Sequence, residues 1–116
     1  MKKKRTKATA IKTETAEKVA DRDHYRCIFC DQGYCPDGPG AGFGKTIKEI
    51  MHFIPRSQGG KGIEENLAVG CHFHHHMMDN GKDGRRAEML EIFETHLRFH
   101  YKGWNREKLI YKKGEV

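Results

Sequence analysis

The sequence lacks long apolar runs, and only 36% of its 116 residues are hydrophobic. A membrane-spanning helix needs roughly 18 or more apolar residues in a row, and no stretch approaches that length. The basic start, MKKKRTKATAIKTE, is not followed by the apolar stretch that a secretory signal peptide carries. We therefore expect no membrane partner and a cytoplasmic location, where cysteines bind metals more often than they form disulfides.

The apolar residues are too few for a large core, and a small core generally needs a metal or a disulfide to help hold it. Charge, by contrast, is abundant: 22 Lys and Arg against 16 Asp and Glu give a net charge of +6. That balance suits a polyanionic partner. Residues 1–12 are expected to form a disordered basic arm, which either aids solubility or contacts phosphates. Residues 13–116 are expected to form a single domain.

Hydrophobic spacing and turn residues predict an α+β fold. Helices are expected at residues 13–24, 72–80 and 84–101, the last capped by Asp83, and strands at residues 25–29, 47–54 and 67–69. The strands at 47–54 and 67–69 are expected to pair as a hairpin around a glycine-rich turn, whereas residues 31–46 form a loop. Five apolar residues of the last helix share one stripe that we interpret as core cover: Met89, Leu90, Phe93, Leu97 and Tyr101.

The cysteines and one histidine fall into two pairs with the same short spacing. Cys27 and Cys30 form one pair, and Cys71 and His74 form another about forty residues later. Two such pairs suit a tetrahedral structural zinc site, which contributes on the order of 10 kcal/mol to folding. The alternatives are a redox pair at Cys27 and Cys30, or reduced cysteines in the core. Cys35 is then either a free thiol in the loop or the fourth ligand in place of His74.

The histidines after Cys71 indicate a second metal site. His74 and His75 are neighbours on a helix and point about 100° apart, so they do not comfortably serve one ion. If His74 faces the zinc, His75 is free to face the hairpin, with Asp79 one turn along. Such a pair suits a second, catalytic divalent cation. The alternative is a polar helix surface, and His72 with His76 forms a competing pair at the same spacing.

Four segments together closely resemble the HNH endonucleases, in particular small ones of bacterial viruses and mobile elements. The segments are DRDHYRCIFC, MHFIPRSQGG, ENLAVGC and HFHHHMMDNG, and the likeness covers about residues 19–81. The resemblance implies a small, zinc-stabilised ββα-metal domain with flanking N-terminal and C-terminal helices. It also implies DNA as the partner, a bacterial host cell as the location, and other phage or mobile-element proteins as candidate partners.

The resemblance implies a role for each residue of the candidate site. His52 would be the general base that takes a proton from the attacking water, and Asn66 would brace the hairpin loop and orient His52 through its amide. His75 would bind the catalytic cation, with Asp79 as a second ligand. That cation would be Mg²⁺ or Mn²⁺, with Zn²⁺ or Ni²⁺ as alternatives. Cleavage would leave 5′-phosphate and 3′-hydroxyl ends.

One position departs from the pattern of the family. Many members carry an Asp or His just before the base histidine, where it helps to hold the metal, but here the residue is Met51. Glu49 lies two residues earlier on the same side of the strand and is expected to substitute only if the strand bends. Without it, the cation would rest on His75, Asp79, water and phosphate.

The sequence thus favours a metal-dependent DNA endonuclease, cutting one strand or both, over a non-catalytic zinc module that binds nucleic acid or a partner protein. Basic residues expected near the site, and so candidates for phosphate contacts, are Arg56, Lys61, Lys82, Arg85 and Arg86. For each of them the alternative is a solvated charged surface. The other histidines are interpreted as ordinary residues: His24, His96 and His100. A cysteine-based redox protein is disfavoured because the βαβ surroundings of such a motif are lacking.

Overall fold

The computed structural model describes residues 2–35, 42–81 and 84–113, with the backbone alone for residues 2–5, 42 and 43. In these ranges the helices are α1 (Lys2–Thr9), α2 (Thr13–Arg22), α3 (Ile28–Asp31), α4 (His72–Asn80) and α5 (Arg85–His100). The strands are β1 (Lys48–His52) and β2 (Leu67–Cys71), and 3₁₀ turns lie at Gly42–Lys45, Arg56–Gln58, Glu64–Asn66 and Arg106–Leu109. The predicted α+β class is confirmed. None of these helices is long and apolar enough to cross a membrane.

The sheet is an antiparallel hairpin of two strands, as the sequence predicts. Ile50 of β1 pairs with Val69 of β2, and Met51 pairs with Ala68. Because side chains alternate along a strand, Met51 enters the main core whereas Ile50 packs against a smaller cluster on α2. A Cβ at Gly70 would overlap the Met51 side chain, so the glycine makes room for this methionine. Met51 is fully buried and is a packing residue.

The main core lies between the hairpin, α3, α4 and α5. The predicted stripe of α5 faces it, with Met89, Phe93 and Leu97 buried. The rings of Phe53 and Phe93 meet edge to face with centroids 5.4 Å apart, a geometry that aromatic pairs favour. This packing holds α5 across one face of the hairpin and leaves the start of α4 next to α3.

Helix α4 begins directly where β2 ends, which is the connection that positions the candidate site. The Cys71 side chain caps α4 by accepting a hydrogen bond from the backbone nitrogen of His74 at 3.4 Å. Gly81 ends the helix in the left-handed region with φ of 59°, a conformation that glycine adopts without strain. The start and end of this helix therefore match the prediction. The predicted cap of α5, Asp83, lies outside the described residues.

The predicted strand at residues 25–29 is wrong. His24 and Tyr25 both have φ of 58°, and the backbone nitrogens of Tyr25 and Arg26 donate to Ala20 and Asp23 within the same turn. Helix α3 follows directly. These local bonds use backbone groups that a strand would pair with a neighbouring strand. The buried apolar residues of this stretch, Ile28 and Phe29, enter the core from α3.

The sequence predicts a disordered arm for residues 1–12, and the structure differs over the described part of that segment. Residues Lys2–Thr9 form α1, and the backbone nitrogen of Gly62 donates to the carbonyl of Ala8 at 2.9 Å. Thr9 is only 3% exposed. Composition indicates a solvated arm, but Ala8 and Thr9 contact the turn that follows β1, a long-range contact that composition does not predict.

Candidate functional site

Cys27, Cys30, Cys71 and His74 converge on one point between α3 and α4, as their spacing predicts. The His74 Nδ1 atom lies 3.6 Å from Cys27 Sγ, 3.5 Å from Cys30 Sγ and 3.2 Å from Cys71 Sγ. Cys27 and Cys30 come from the short helix α3 and its first flanking residue, and the other two from the start of α4. All four ligand atoms lie within 4.8 Å of one another, which is close enough to hold one metal ion.

His74 is oriented as a ligand by the bond that its second nitrogen makes. Its Nε2 atom lies 2.7 Å from the carbonyl oxygen of Tyr34. Because a carbonyl only accepts, Nε2 carries the proton of the neutral ring and Nδ1 offers its lone pair to the sulfurs. Burial lowers the pKa of His74, and the charge of Lys45 adds to this effect. The ring is therefore neutral, as metal binding requires.

The three thiols are crowded in a way that a cation would relieve. Burial raises the pKa of Cys27. Burial, followed by the neighbouring charges of Cys27 and Cys71, raises the pKa of Cys30 to about 12. Three adjacent thiolates are unfavourable without a positive charge, and binding of a metal ion would release their protons. This donor set fits a divalent metal better than it fits a pair of core thiols.

Cys35 does not belong to this cluster. Its thiol is exposed, and Lys45 Nζ donates to it at 3.4 Å. All four cysteines are free, so a disulfide between Cys27 and Cys30 is not present. Of the two predicted candidates for the fourth ligand, the structure places His74 in the cluster and leaves Cys35 outside it.

The candidate base, His52, ends β1 and is half-buried. Its Nε2 atom lies 3.1 Å from the carbonyl oxygen of Thr9, so the neutral ring carries its proton on Nε2 and leaves Nδ1 as an acceptor. Burial lowers the pKa of His52, and the charges of Arg56 and His75 lower it further, although the bond to Thr9 opposes them. His52 is consequently a neutral base near pH 7.

Asn66 braces the hairpin loop, although it does so through Ile54. Its Oδ1 accepts from the Ile54 backbone nitrogen at 2.8 Å, and its Nδ2 donates to the carbonyls of Ile54 at 3.1 Å and Lys61 at 2.8 Å. Both amide hydrogens are thereby used, and the residue is fully buried. The amide hydrogen bonds therefore reach the backbone of the loop after β1, and the expected orienting role of Asn66 on His52 stays a prediction. The His52 ring itself is bonded to the Thr9 carbonyl.

His75 lies beside two carboxylates. Asp79 is the expected one, and Glu49 is expected there only if the strand bends. Its Nε2 atom is 3.7 Å from Asp79 Oδ2, and its Nδ1 atom is 2.8 Å from Glu49 Oε1. Glu49 reaches His75 from a regular position in β1, opposite Gly70, so the expectation that the strand must bend is wrong. The His75 hydrogen bond lowers the pKa of Glu49. The other Glu49 oxygen lies 3.2 Å from His72 Nδ1.

Four of the five basic residues predicted near the site lie in the described ranges. Arg56 is exposed, and its Nε donates to Thr9 Oγ1 at 3.4 Å, which places it beside the residue that holds His52. Arg86 Nη1 donates to a carbonyl near the end of α4 at 3.0 Å. The others are Lys61 and Arg85, which are half-buried, and Lys82, which lies outside the described residues. Their contact with DNA stays a prediction.

A second group within metal-binding distance was not anticipated: Asp23, His96 and His100. Asp23 is already satisfied, because its oxygens accept from Arg22 at 2.7 and 2.9 Å and from His96 at 2.7 Å. The guanidinium of Arg22 supplies the positive charge that a metal would supply. The group is therefore better explained as a buried polar network that joins α2 to α5.

Comparisons of this chain with protein-family models, with curated proteins and with solved structures found no match.

Proposed function

We propose that this protein is a metal-dependent DNA endonuclease of the HNH type, which hydrolyses phosphodiester bonds in one strand or both. The observation that carries the proposal is the protonation and hydrogen bonding of His52. It is neutral, its Nε2 is bonded to the Thr9 carbonyl at 3.1 Å, and its Nδ1 is left as an acceptor. A general base needs this arrangement at physiological pH. The order of β1, β2 and α4 supports the same proposal because it is the order that a ββα-metal site requires.

The metal in the cluster of Cys27, Cys30, Cys71 and His74 is zinc in this proposal. Bonds of about 2.3 Å to sulfur and about 2.0 Å to nitrogen, at tetrahedral angles, put ligand atoms about 3.5 to 3.8 Å apart. The sulfurs of Cys30 and Cys71 are 3.9 Å apart, and each sulfur–nitrogen distance lies between 3.2 and 3.6 Å. With four protein ligands the site has no open position, so its role is structural.

His75 and Asp79 would hold the catalytic cation, since His75 Nε2 faces Asp79 Oδ2 at 3.7 Å and Nε2 is the ring nitrogen left free when Nδ1 bonds to Glu49. Met51 is buried in the core and offers no ligand, and Glu49 would orient the His75 ring by accepting from its Nδ1 at 2.8 Å. Carboxylate and imidazole ligands of this kind suit Mg²⁺ or Mn²⁺, with Zn²⁺ or Ni²⁺ as alternatives. When bound, such a cation polarises a phosphate and stabilises the leaving 3′ oxygen.

Three residues of the protein would carry out the other parts of the reaction. His52 Nδ1 accepts a proton from the water that attacks the phosphorus. Asn66 fixes the backbone of Ile54 just after β1 and so limits movement of the strand end that carries His52. Arg56, exposed beside Thr9, is placed to contact a phosphate of the same strand.

A plasmid-nicking assay tests the proposal. Purified protein is incubated with supercoiled plasmid and Mg²⁺ or Mn²⁺, and nicked and linear products are counted separately. We expect cleavage by the wild type and its loss in His52→Ala, with zinc content and folding retained. His76→Ala is the matched control because His76 is an exposed histidine of α4, and it should cleave like the wild type. An intact plasmid with every divalent cation tried would overturn the proposal.

The second candidate is a zinc module without catalytic activity that binds nucleic acid or a protein partner. The observation in its favour is Met51, a buried packing residue where the family pattern has a metal ligand. This candidate predicts that His52→Ala binds DNA as the wild type does while neither protein cleaves. The plasmid assay and a gel-shift assay on the same two proteins therefore distinguish the two functions.

A further inference from the structure

Residues 8–10, which are the last two residues of α1 and the residue that follows it, pack against the candidate active site. The carbonyl of Ala8 accepts from the backbone nitrogen of Gly62 at 2.9 Å, and the carbonyl of Thr9 lies 3.1 Å from His52 Nε2. Arg56 Nε adds a bond to Thr9 Oγ1 at 3.4 Å. Three residues of the hairpin unit thus contact a segment that is distant in sequence and lies outside the motif segments.

The close approach of the two backbones depends on Gly62. A Cβ at this position would overlap the carbonyl group of Ala10, and its φ is not in the left-handed region. Glycine is therefore needed here for space and not for backbone conformation. Gly62 is buried under the segment. The absence of a side chain at Gly62 therefore allows residues 8–10 to pack directly against the loop after β1.

The position of the Thr9 carbonyl has a chemical consequence for His52. A neutral imidazole has two tautomers, and only the one with the proton on Nε2 leaves Nδ1 free to accept a proton. The Thr9 oxygen selects that tautomer because it accepts and cannot donate. It also restrains rotation of the ring, which is otherwise carried at the end of a two-stranded sheet.

We propose that residues 8–10 are a positioning segment, in which the Thr9 backbone carbonyl holds the His52 ring in its catalytic tautomer and orientation. This inference rests on the proposed nuclease function. It adds that the active site is incomplete without the N-terminal segment. Residues 8 and 9 end α1, whose basic residues are Lys2, Lys3, Lys4, Arg5 and Lys7. Because a helix rises 1.5 Å per residue, this basic helix lies within roughly 12 Å of the site along its axis.

Two full-length variants displace the segment without altering His52. Gly62→Ala places a methyl group against the Ala10 carbonyl, and Ala8→Pro disrupts the last turn of α1. For each, ¹⁵N NMR of the histidine rings reports the His52 tautomer, and steady-state cleavage of a labelled duplex gives kcat and KM. We expect His52 to change from the Nε2–H form to a mixture. We also expect kcat to fall about tenfold or more, within the range that general-base catalysis contributes, with KM changed less than about twofold.

A control variant distinguishes the effect of the Thr9 carbonyl on His52 from the effect of the positive charge of α1. Replacing Lys2, Lys3 and Lys4 by Ala removes positive charge from α1 and leaves the Thr9 carbonyl in place. It should raise KM and weaken the salt dependence, with the His52 tautomer and kcat unchanged. Circular dichroism of every variant checks that the fold is retained. If Gly62→Ala fails to fold, Ala8→Pro supplies the same test, because α1 lies outside both hydrophobic clusters.

Each outcome decides a separate point. An unchanged His52 tautomer in both Gly62→Ala and Ala8→Pro overturns the inference. So does a changed tautomer with kcat at the wild-type value. A changed tautomer in a protein that never cleaves DNA supports the Thr9 contact but overturns the proposed function, since the NMR measurement does not depend on activity.

Discussion

Arg22 and Asp23 are neighbours in the chain and form a buried ion pair. Arg22 Nε lies 2.7 Å from Asp23 Oδ1 and Nη2 lies 2.9 Å from Oδ2, and the two side chains are 11% and 1% exposed. The carboxylate also accepts from His96 and from the Val69 backbone nitrogen, whereas the guanidinium donates to the Leu67 carbonyl at 2.6 Å. The pair therefore ties α2 to β2 and to α5.

Replacing Asp23 by Asn should destabilise the fold strongly. Burial would raise the pKa of Asp23, but the hydrogen bonds from His96 and Arg22 outweigh burial and lower it to about 2. Asp23→Asn leaves the guanidinium buried without its counter-charge, a change that typically costs about 3–5 kcal/mol. The free energy of unfolding, measured by urea denaturation of zinc-loaded protein, checks this.

The matched control is Glu94→Gln on α5. Glu94 pairs with Arg98 at 2.7 Å, but the side chains of Arg98 and Glu94 are 57% and 37% exposed. Exposed pairs of this spacing contribute roughly 0.3–0.5 kcal/mol, so its unfolding free energy should barely change. Equal effects from Asp23→Asn and Glu94→Gln would mean that the buried network does not join the elements as described.

The parts of the fold that the sequence predicts are those governed by local patterns. Alternation and turn residues predict the hairpin, and its strands are observed at Lys48–His52 and Leu67–Cys71. Helical spacing predicts α5 and its buried stripe. The ligand pairs are predicted because each lies within one turn of chain, where spacing alone decides whether two side chains can converge.

The parts that the sequence does not predict depend on contacts between distant segments. Ile28 and Phe29 are apolar, which suits a strand, yet they enter the core from the short helix α3. The order of α1 depends on Gly62 receiving Ala8. The contact between Glu49 and His75 depends on how α4 packs against β1. One feature of the sequence does favour a contact between Glu49 and α4. Glu49 lies near the start of β1, and β1 pairs with β2, the strand that leads directly into α4.

Removing a cysteine of the metal cluster should unfold the domain. Cys71 belongs to the group that is close enough to hold a metal ion and also caps α4, so Cys71→Ser should weaken the proposed metal site and the start of the helix together. Far-UV circular dichroism and metal content by mass spectrometry measure the effect. Cys35→Ser is the control, because Cys35 is exposed and outside the cluster, and it should keep both. A folded Cys71→Ser protein with a full complement of metal would contradict the assignment of this ligand.

Chelation should have two stages if the two metal sites are separate. A weak chelator should stop cleavage while the zinc of the Cys27, Cys30, Cys71 and His74 cluster stays bound, because that cluster uses four protein ligands. A strong chelator should then remove zinc and unfold the protein. Activity, zinc content and circular dichroism are followed in one titration. Loss of zinc and activity at the same chelator concentration would argue against two sites.

Glu49→Gln should weaken binding of the catalytic cation and leave the zinc cluster intact. The change removes the carboxylate charge 2.8 Å from His75 Nδ1 and keeps the size of the side chain. Binding of Mn²⁺, measured by electron paramagnetic resonance, should weaken about tenfold or more. Glu107→Gln serves as the control because Glu107 lies in the turn Arg106–Leu109, with its side chain 78% exposed. Unchanged Mn²⁺ affinity in Glu49→Gln would remove this residue from the proposed site.

The pH dependence of cleavage should reflect the state of His52. Burial lowers the pKa of this histidine below its usual value of about 6.5. A general base works in its unprotonated form, so kcat/KM should decrease towards acidic pH with an apparent pKa below 6.5. Cleavage rates between about pH 5 and pH 8, with zinc content checked at each pH, give the profile. An acidic limb with an apparent pKa above 6.5 would mean that His52 is not the group that accepts the proton, or that it is not buried in the working enzyme.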